Sequence, residues 1–470
     1  MSAQQSLSLQ GESLPRAQAA AQAAGAEPIT SGLSLRSNFA WALTGNVVYA
    51  ACQWGMIVAL AKLGNSFVVG QFSLGLAITT PVLMFANLHL RAMQATDAKR
   101  FCPFTEYRNL RMATTLAAMF VIAGVAWFGD HQRGTVLIIL AVAAAKGMEA
   151  LSDIYYGLFQ LNDRLDQIGK SMMLRGGASV LALSAGLYLT RDVFWGCVGM
   201  VLVSLATLLF FDLRRGQSFV TRPEVPGDYA NQTDGLQPAK ARGFQRQWNL
   251  MWMALPLGIV TTLASINLNM PRYFIHARMG DYQLGIFSAL AYATVAITLV
   301  SDSLGHCAIP RLSRLFADKQ FPEFRSFLLK LLALSGALGL SGLIVAQVMG
   351  ARLLAIVYGL EYATHSRVFT VLMFATAIHC VASVFTTGIM SARRFRIQVP
   401  LYALMVGSNA LACAAWVPTA GLSGGAMAMV VAAVVRLILT GAALGYLVLT
   451  PAKRVIPPPV VCVEDWRSGL

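Results

Sequence analysis

The sequence predicts an all-α polytopic membrane protein of about twelve transmembrane helices, in two six-helix lobes related by a tandem parallel repeat. Composition is the first observation: 56% of the 470 residues are hydrophobic and only 12% are charged. That charged fraction is about half of what a soluble domain carries. The second observation is a series of apolar windows, each long enough to cross a bilayer. The third is a pair of short motifs that recurs between the two halves of the chain.

Twelve windows approach the length of about 20 apolar residues that crosses the hydrocarbon core. They lie near 39–61, 67–89, 111–129, 135–157, 173–190, 193–211, 249–271, 283–308, 327–349, 368–390, 398–416 and 424–449. The longest connection contains RPEVPGDYANQTDGLQPAKARG, a polar stretch typical of a linker. The expected organisation is a disordered cytoplasmic tail (1–35), a first lobe (36–212), a cytoplasmic linker (213–247), a second lobe (248–450) and a second cytoplasmic tail (451–470).

The distribution of Lys and Arg predicts the orientation. Of the 36 basic residues, 27 lie in the tails and in the loops after even-numbered windows, and only seven lie in the opposite loops. Because cytoplasmic loops are enriched in Lys and Arg, we expect a bacterial inner-membrane protein with both termini in the cytoplasm. The net charge of +15 therefore does not indicate nucleic-acid binding, since it is spread over all the predicted inner loops.

The chain lacks the common signatures of metal proteins and enzymes. Its seven cysteines show no CxxC or other metal-ligand spacing. The HExxH and GxxxxGK[ST] motifs are also absent from the sequence. We therefore expect no metal, no other cofactor and no enzymatic activity, and we leave H⁺ or Na⁺ coupling open.

Two pairs of similar segments relate the halves. Gly-x-Phe-Ser occurs at 70–73 and again at 285–288, 215 residues later, and EYRNL at 106–110 resembles EFRSF at 323–327. Because each half contains an even number of windows, such repeats run parallel to each other in the membrane. Transporters built in this way bind their substrate between the halves.

Several stretches resemble bacterial polysaccharide flippases of the multidrug/oligosaccharidyl-lipid/polysaccharide exporter superfamily. They are NFAWALTGNVVYAACQW, VGQFSLGLAITTPVLMFANLHLRAMQATDAKR, PRYFI with LGIFSALAY, and RLLAIVYGLEYATHS, in an order that extends the resemblance over roughly 36–450. The resemblance implies a V-shaped pair of lobes. By alternating access they would move an undecaprenyl-pyrophosphate-linked oligosaccharide to the periplasmic leaflet, for lipopolysaccharide, capsule or exopolysaccharide synthesis. Membrane lipid, a polysaccharide polymerase and a chain-length regulator are the partners it implies.

The fourth window carries three charges. Lys146, Glu149 and Asp153 fall within about 60° of one another on a helix. Each would cost about 2.5–3.5 kcal/mol at the bilayer centre, so they must face a water-filled cavity or be paired. One interpretation is a cavity wall in which Glu149 or Asp153 binds H⁺ or Na⁺, and the other is a Lys146–Glu149 pair within one lobe. The matching positions 377, 380 and 384 of the second half are uncharged.

Basic residues are the candidates for binding a pyrophosphate. Arg91, Arg175 and Arg272 lie near window ends, and Arg suits a diphosphate because its planar guanidinium forms bidentate hydrogen bonds. Lys146 competes for the same role because it lies at mid-depth. The alternative for the three arginines is that they snorkel to the headgroups.

Other ionisable residues occur within the windows. Asp302 and His306 are one helical turn apart, which could relay a proton, although a hydrogen-bonded pair at the interface is the alternative. His379 and Arg436 are isolated within their windows. A mid-span Arg requires a partner, which the sequence does not reveal.

Side-chain amides are the candidates for sugar contacts. Asn46 and Gln53 share one face of the first window, and Asn267 and Asn269 occupy the seventh. In the family's fold, helices 1, 2, 7 and 8 line the central cavity. Amides also hold transmembrane helices together, so both interpretations stay open.

Two other functions are alternatives to the flippase. A cation-coupled antiporter of drugs or small metabolites has the same fold. A membrane-embedded glycan polymerase or ligase is the third hypothesis, but such enzymes usually need a large outward loop. The longest loop here is predicted to be cytoplasmic.

Overall fold

The computed structural model describes residues 35–97, 102–129, 131–220, 239–392 and 398–449. Every regular element in these ranges is a helix, which confirms the all-α prediction. The two predicted tails, apart from Leu35, and most of the predicted linker lie outside the described residues. Helices continue into both ends of that linker, as far as Val220 and from Ala239.

The helices divide between the two halves of the chain. Those of the first half are α1 (Leu35–Leu63), α2 (Ser66–Asn87), α3 (Leu90–Thr96), α4 (Phe104–Phe128), α5 (Arg133–Leu161), α6 (Leu165–Thr190), α7 (Val193–Ala206), a π-helical segment (Thr207–Leu213) and α8 (Arg214–Val220). Those of the second half are α9 (Ala239–Ala293), α10 (Val295–Ala317), α11 (Phe321–Val357), α12 (Leu360–Ala363), α13 (Ser366–Ser391) and α14 (Gln398–Leu449).

Nine helices of the described ranges are long and apolar enough to cross a membrane, and a bent pair within α9 adds a tenth. The predicted count of twelve is therefore not confirmed. Two predicted boundaries, between windows 7 and 8 and between windows 11 and 12, coincide with a kink at a glycine that divides α9 and α14 into two helices each. Gly280 interrupts α9 with φ 77°, and Gly421 interrupts α14 with φ 59°, a left-handed conformation that glycine adopts without steric cost.

The structure confirms the repeat. Helix α4 begins at Phe104 and α11 at Phe321, 217 residues later, the same offset that separates EYRNL from EFRSF. The Gly-x-Phe-Ser motifs lie on α2 and α9. Each motif therefore occupies the same place in its own half.

The two motif glycines lie where the backbones of the halves approach each other closely. A Cβ on Gly70 would overlap the backbone carbonyl of Asp281, and a Cβ on Gly285 would overlap that of Ser66. Ser66 and Asp281 are themselves 215 residues apart, like the two glycines. Gly70 therefore contacts Asp281, and Gly285 contacts Ser66, the residue that corresponds to Asp281 in the first half. Two halves related by a two-fold axis make such reciprocal contacts.

Away from this crossing, each half packs mainly on itself. In the first half α1 packs on α6, and α5 is central, with α2, α4 and α7 around it. In the second half α13 packs on α10, α11 and α14, and α14 also packs on α9. The chain is thus two helical lobes joined chiefly along α2 and α9, as expected.

Side-chain hydrogen bonds join the lobes toward the predicted periplasmic side. Trp54 Nε1 donates to Tyr358 Oη at 2.7 Å, and Ser66 Oγ donates to Glu361 Oε1 at 2.7 Å. Burial raises the pKa of the Tyr358 phenol well above its ordinary value, so the hydroxyl stays protonated. The stretch RLLAIVYGLEYATHS, which carries Tyr358 and Glu361, therefore bridges to the first lobe on this side.

Candidate functional site: the polar face of α5

Helix α5 presents two different faces. Ile138, Ile139 and Val142 are buried in the core of the first lobe. Lys146, Glu149 and Asp153 lie together on another side, as their spacing predicts, and we call these three residues the α5 polar face. Lys146 is about 20 Å along the helix from Arg133, at 1.5 Å per residue, which places it near mid-membrane.

Lys146 and Glu149 form an ion pair that α1 completes. Lys146 Nζ lies 2.9 Å from Glu149 Oε2, and the two side chains remain 19% and 30% exposed. Tyr49 Oη donates to Glu149 Oε1 at 2.5 Å and accepts from Lys146 at 3.3 Å and from Gln53 Nε2 at 2.6 Å. The intrahelical pair therefore exists, but it belongs to a polar group that spans two helices and keeps an open side.

Asp153 contacts two further helices directly and a third through Arg111. Its carboxylate accepts from Arg91 Nη1 of α3 and from Arg111 Nη2 of α4, each at 3.1 Å. Arg111 is only 1% exposed, whereas Asp153 is 27% exposed. Arg111 also donates to Asn87 at the end of α2. Asp153 thus sets a single negative charge between two guanidiniums, one enclosed and one partly open, so the group keeps a net positive charge.

A local break in the second predicted span positions Arg91. Leu88 and His89 both adopt left-handed backbone angles, with φ 47° and 54°. Helix α2 ends before them and α3 begins after them. This turn separates the helix that carries Arg91 from the helix that crosses the membrane.

Arg175 is placed differently from the other basic candidates. Its Nη2 lies 2.9 Å from Asp212 Oδ2, and the two side chains are only 3% and 0% exposed. Arg175 also donates to Ser152 on α5, and Ser171 donates to Asp212 at 2.7 Å. Asp212 lies in the π-helical segment. Such wider helical turns are rare in proteins and often occur at functional sites. The pair ties α5, α6 and the π-helical segment together and leaves Arg175 enclosed.

In the second lobe, Arg272 is buried and lies on α9. Its Nη1 donates to Asn269 Oδ1 at 2.6 Å, and its guanidinium lies 5.2 Å from the ring centre of Tyr292. Asn267 instead accepts from Asn409 Nδ2 at 2.8 Å through its carbonyl. Asn269 therefore positions Arg272, and Asn267 links α9 to α14.

Three of the other ionisable candidates, His379, Arg436 and Asp302, lie near one another in the second lobe. Arg436 Nη1 lies 2.9 Å from His379 Nδ1, and Arg436 Nη2 donates to Thr386 at 3.2 Å. The two isolated residues of the sequence are therefore partners. Asp302 is partly buried near Arg436, whereas His306 is exposed. No hydrogen bond joins Asp302 to His306, both of which the structure describes.

The structure brings some of the predicted site residues together and separates others. Lys146 and Glu149 form one hydrogen-bonded group with Gln53, through Tyr49. Asp153 and Arg91 form an ion pair one to two turns along α5. Asn46 is exposed on α1. Arg175 and Asn267 have structural partners instead. Three participants were missed from the sequence: Tyr49, Arg111 and Asp212. Tyr49, one helical turn before Gln53, is the one that a helical-face argument could have found.

The arrangement offers an anion two partly open cations, Lys146 near mid-membrane and Arg91 on the short helix after α2. Lys146 is paired with Glu149, whereas Arg91 shares Asp153 with the enclosed Arg111. An arriving diphosphate could replace those carboxylates, because cation–phosphate hydrogen bonds are charge-assisted in the same way. The carboxylates released by the exchange could then accept H⁺ or Na⁺.

Known proteins share this fold. No known family profile matches the sequence. The capsular polysaccharide biosynthesis protein CapF of Staphylococcus aureus is 23% identical over 401 residues, covering 85% of this chain and 97% of the relative. An inward-facing multidrug resistance MATE transporter of the MOP superfamily matches with a TM-score of 0.66 at 12% identity, over 87% of this chain and 100% of its own. The lipid II flippase MurJ, in an inward closed conformation, matches at 0.62 and 9% identity, over 87% of each chain. The fold expected from the sequence resemblance is thereby confirmed as that of these two-lobed membrane transporters.

Proposed function

We propose that the chain is a flippase that moves an undecaprenyl-pyrophosphate-linked oligosaccharide from the cytoplasmic to the periplasmic leaflet during surface polysaccharide synthesis. Its fold is shared with a protein named as a lipid II flippase, and its sequence is related to a protein named for capsular polysaccharide biosynthesis. The observation that carries the proposal is the α5 polar face, which is charged, partly open and at mid-depth.

The energetics of the bilayer favour a water-filled cavity beside the α5 polar face. A charge at the bilayer centre costs about 2.5–3.5 kcal/mol on the insertion scale. Pairing with Arg91, Arg111 and Lys146 offsets part of this cost, yet Glu149 and Asp153 remain about a quarter to a third exposed. A polar surface left open at this depth is consistent with a water-filled cavity between the lobes.

The substrate's pyrophosphate is assigned to Lys146 and Arg91, with Arg272 as the cation contributed by the second lobe. Glu149 and Asp153 are the candidates for H⁺ or Na⁺ coupling. Asn46 and Gln53 on α1 are the candidates for sugar contacts. Arg175 is left out of the proposed site, because Asp212 and Ser152 enclose its guanidinium.

Deleting the gene tests the proposal directly. We expect surface polysaccharide to fall and lipid-linked oligosaccharide to accumulate, accessible only from the cytoplasmic face of inverted membrane vesicles. Expression of the intact chain should reverse both changes. Unchanged surface polysaccharide without such an intermediate would show that the chain transports something else.

An antiporter of drugs or small metabolites is the second candidate. The Glu149–Tyr49 hydrogen bond favours it, because a carboxylate held by a phenol suits cation coupling. The match to a multidrug transporter agrees. An antiporter predicts that deletion raises drug sensitivity and leaves lipid-linked sugars unchanged, so the same deletion strain distinguishes the two functions.

Lys146→Ala should reduce polysaccharide export about tenfold or more, because a hydrogen bond to a charged group contributes about 1.5–3 kcal/mol. Protein abundance should be retained, since Glu149 keeps its bond to Tyr49 and its access to water. Export per unit of membrane protein is the measurement. Lys330→Ala is the matched control, because Lys330 is exposed on α11. Export at the wild-type level in Lys146→Ala would exclude this residue from the site.

Asp153→Ala is a less selective test of the same site. It leaves Arg111, which is 1% exposed, without its carboxylate, and breaking such a buried pair costs about 3–5 kcal/mol. Loss of export in that variant would therefore combine loss of folded protein with loss of the site.

A further inference from the structure

We propose that His131 and His276 form a divalent-metal site between the two lobes on the predicted periplasmic side, binding an ion of the Zn²⁺ class. The proposal does not depend on the transported substrate. It rests on one contact: Nε2 of His276 lies 3.3 Å from Nδ1 of His131, 145 residues away in sequence, in a hydrogen bond whose shared proton a metal ion would replace.

This separation matches two ligands of one metal ion. Zinc bonds imidazole nitrogen at about 2.0–2.1 Å in tetrahedral sites, which places two such nitrogens about 3.3 Å apart. Imidazole is also a good ligand for Cu²⁺, Ni²⁺ and Co²⁺. The two rings are tilted by 45° with their centres 5.2 Å apart, so they are not stacked face to face.

Asp281 supplies the supporting carboxylate. Its Oδ1 lies 2.7 Å from His276 Nδ1, on the side of the ring opposite Nε2. The two atoms are within ion-pair distance but are not aligned for a hydrogen bond, so Asp281 contributes negative charge beside the ring without selecting its tautomer. Thr135 Oγ1 lies 3.5 Å from the other oxygen of Asp281 and accepts from Gln71 at 2.9 Å, so the first lobe helps to hold this carboxylate.

The site is an interface site of two protein ligands. His131 lies between α4 and α5 in the first lobe, whereas His276 and Asp281 lie on α9. Among the described residues, no three His, Cys, Asp or Glu side chains converge as a metal centre, so water completes the coordination. Because the ligands come from different lobes, the ion binds the state that is closed on this side and stabilises it.

Metal titration of the purified full-length protein tests the inference, in a Cys307→Ser background that removes one exposed thiol. We expect one Zn²⁺ per chain by calorimetry and a visible absorption band of four-coordinate Co²⁺. His131→Ala and His276→Ala should each weaken Zn²⁺ binding at least tenfold, and Asp281→Asn should weaken it by a smaller factor because it removes one negative charge beside the ligands. His365→Ala is the matched control, a histidine on the same predicted side that should leave binding unchanged.

A second measurement separates binding from folding. Zn²⁺ should raise the unfolding temperature of the wild type and of His365→Ala, but not of His131→Gln, which removes the imidazole and keeps a polar side chain. Equal Zn²⁺ affinity in wild type, His131→Ala and His276→Ala would overturn the proposal. So would the absence of Zn²⁺ binding to the wild type at millimolar concentration.

Discussion

Asp212→Ala is expected to remove most of the folded protein from the membrane. The substitution leaves the Arg175 guanidinium, 3% exposed, without its carboxylate in the interior of the first lobe. Breaking a buried ion pair in this way costs about 3–5 kcal/mol, a large part of the 5–15 kcal/mol that typically stabilises a protein. The unfolding temperature in detergent and the monodisperse fraction after extraction are the measurements.

The double variant Arg175→Met, Asp212→Leu is the decisive control. It removes both charges and fills a similar volume, so stability should recover, because apolar replacement of a buried pair is often neutral or stabilising. Asp318→Ala, at an exposed position after α10, should have little effect. Wild-type stability of Asp212→Ala would mean that Arg175 finds another partner, and the structural role assigned to the pair would be wrong.

Gly70→Leu is expected to abolish transport, because the lobes could no longer approach on the predicted periplasmic side. Even a Cβ at Gly70 overlaps the Asp281 carbonyl, and backbone cannot give way as a flexible side chain can. Overpacking typically costs about 1–3 kcal/mol, and occasionally more. We expect Gly285→Leu to have the same effect, because it disturbs the equivalent contact with Ser66.

Transport per unit of protein and the reactivity of a cysteine placed at Ser66 are the measurements for these variants. Disruption of the crossing should expose position 66 to a water-soluble thiol reagent from the periplasmic side. Gly177→Leu is the matched control, since nothing lies within 4 Å of a Cβ there. Normal transport by Gly70→Leu would show that this crossing is not needed in the cycle.

Much of the fold could be predicted because its causes are local. Apolar length and the distribution of basic residues act within single segments, and the repeated Gly-x-Phe-Ser motif marks the two helices that meet. The helical spacing of Lys146, Glu149 and Asp153 predicts their shared face in the same way. The sharp breaks at Gly280 and Gly421 also fall in the gaps predicted between windows 7 and 8 and between windows 11 and 12.

The partners of these charges could not be predicted, because each comes from a distant segment. Arg111 is the first residue of an apolar window. In the sequence it therefore looks like the other basic residues of the predicted cytoplasmic loops. Asp212 ends an apolar run just before Arg214 and Arg215, a pattern typical of an interfacial position. Only the π-helical segment and the packing of α6 bring it to Arg175. For the same reason, nothing in the sequence relates His131 to His276.

The reciprocal contact at Gly70 and Gly285 has a consequence for the history of the molecule. Gly70 contacts Asp281, and Gly285 contacts Ser66 in the same way. In a symmetric homodimer the same two residues contact each other twice across the interface, and here that isologous pattern occurs within one chain. In a homodimer, any substitution at this crossing appears twice and changes both subunits together. Fusion of the two copies allows each to change alone. The α5 polar face, present in one half and uncharged at the matching positions of the other, is where the two copies have diverged.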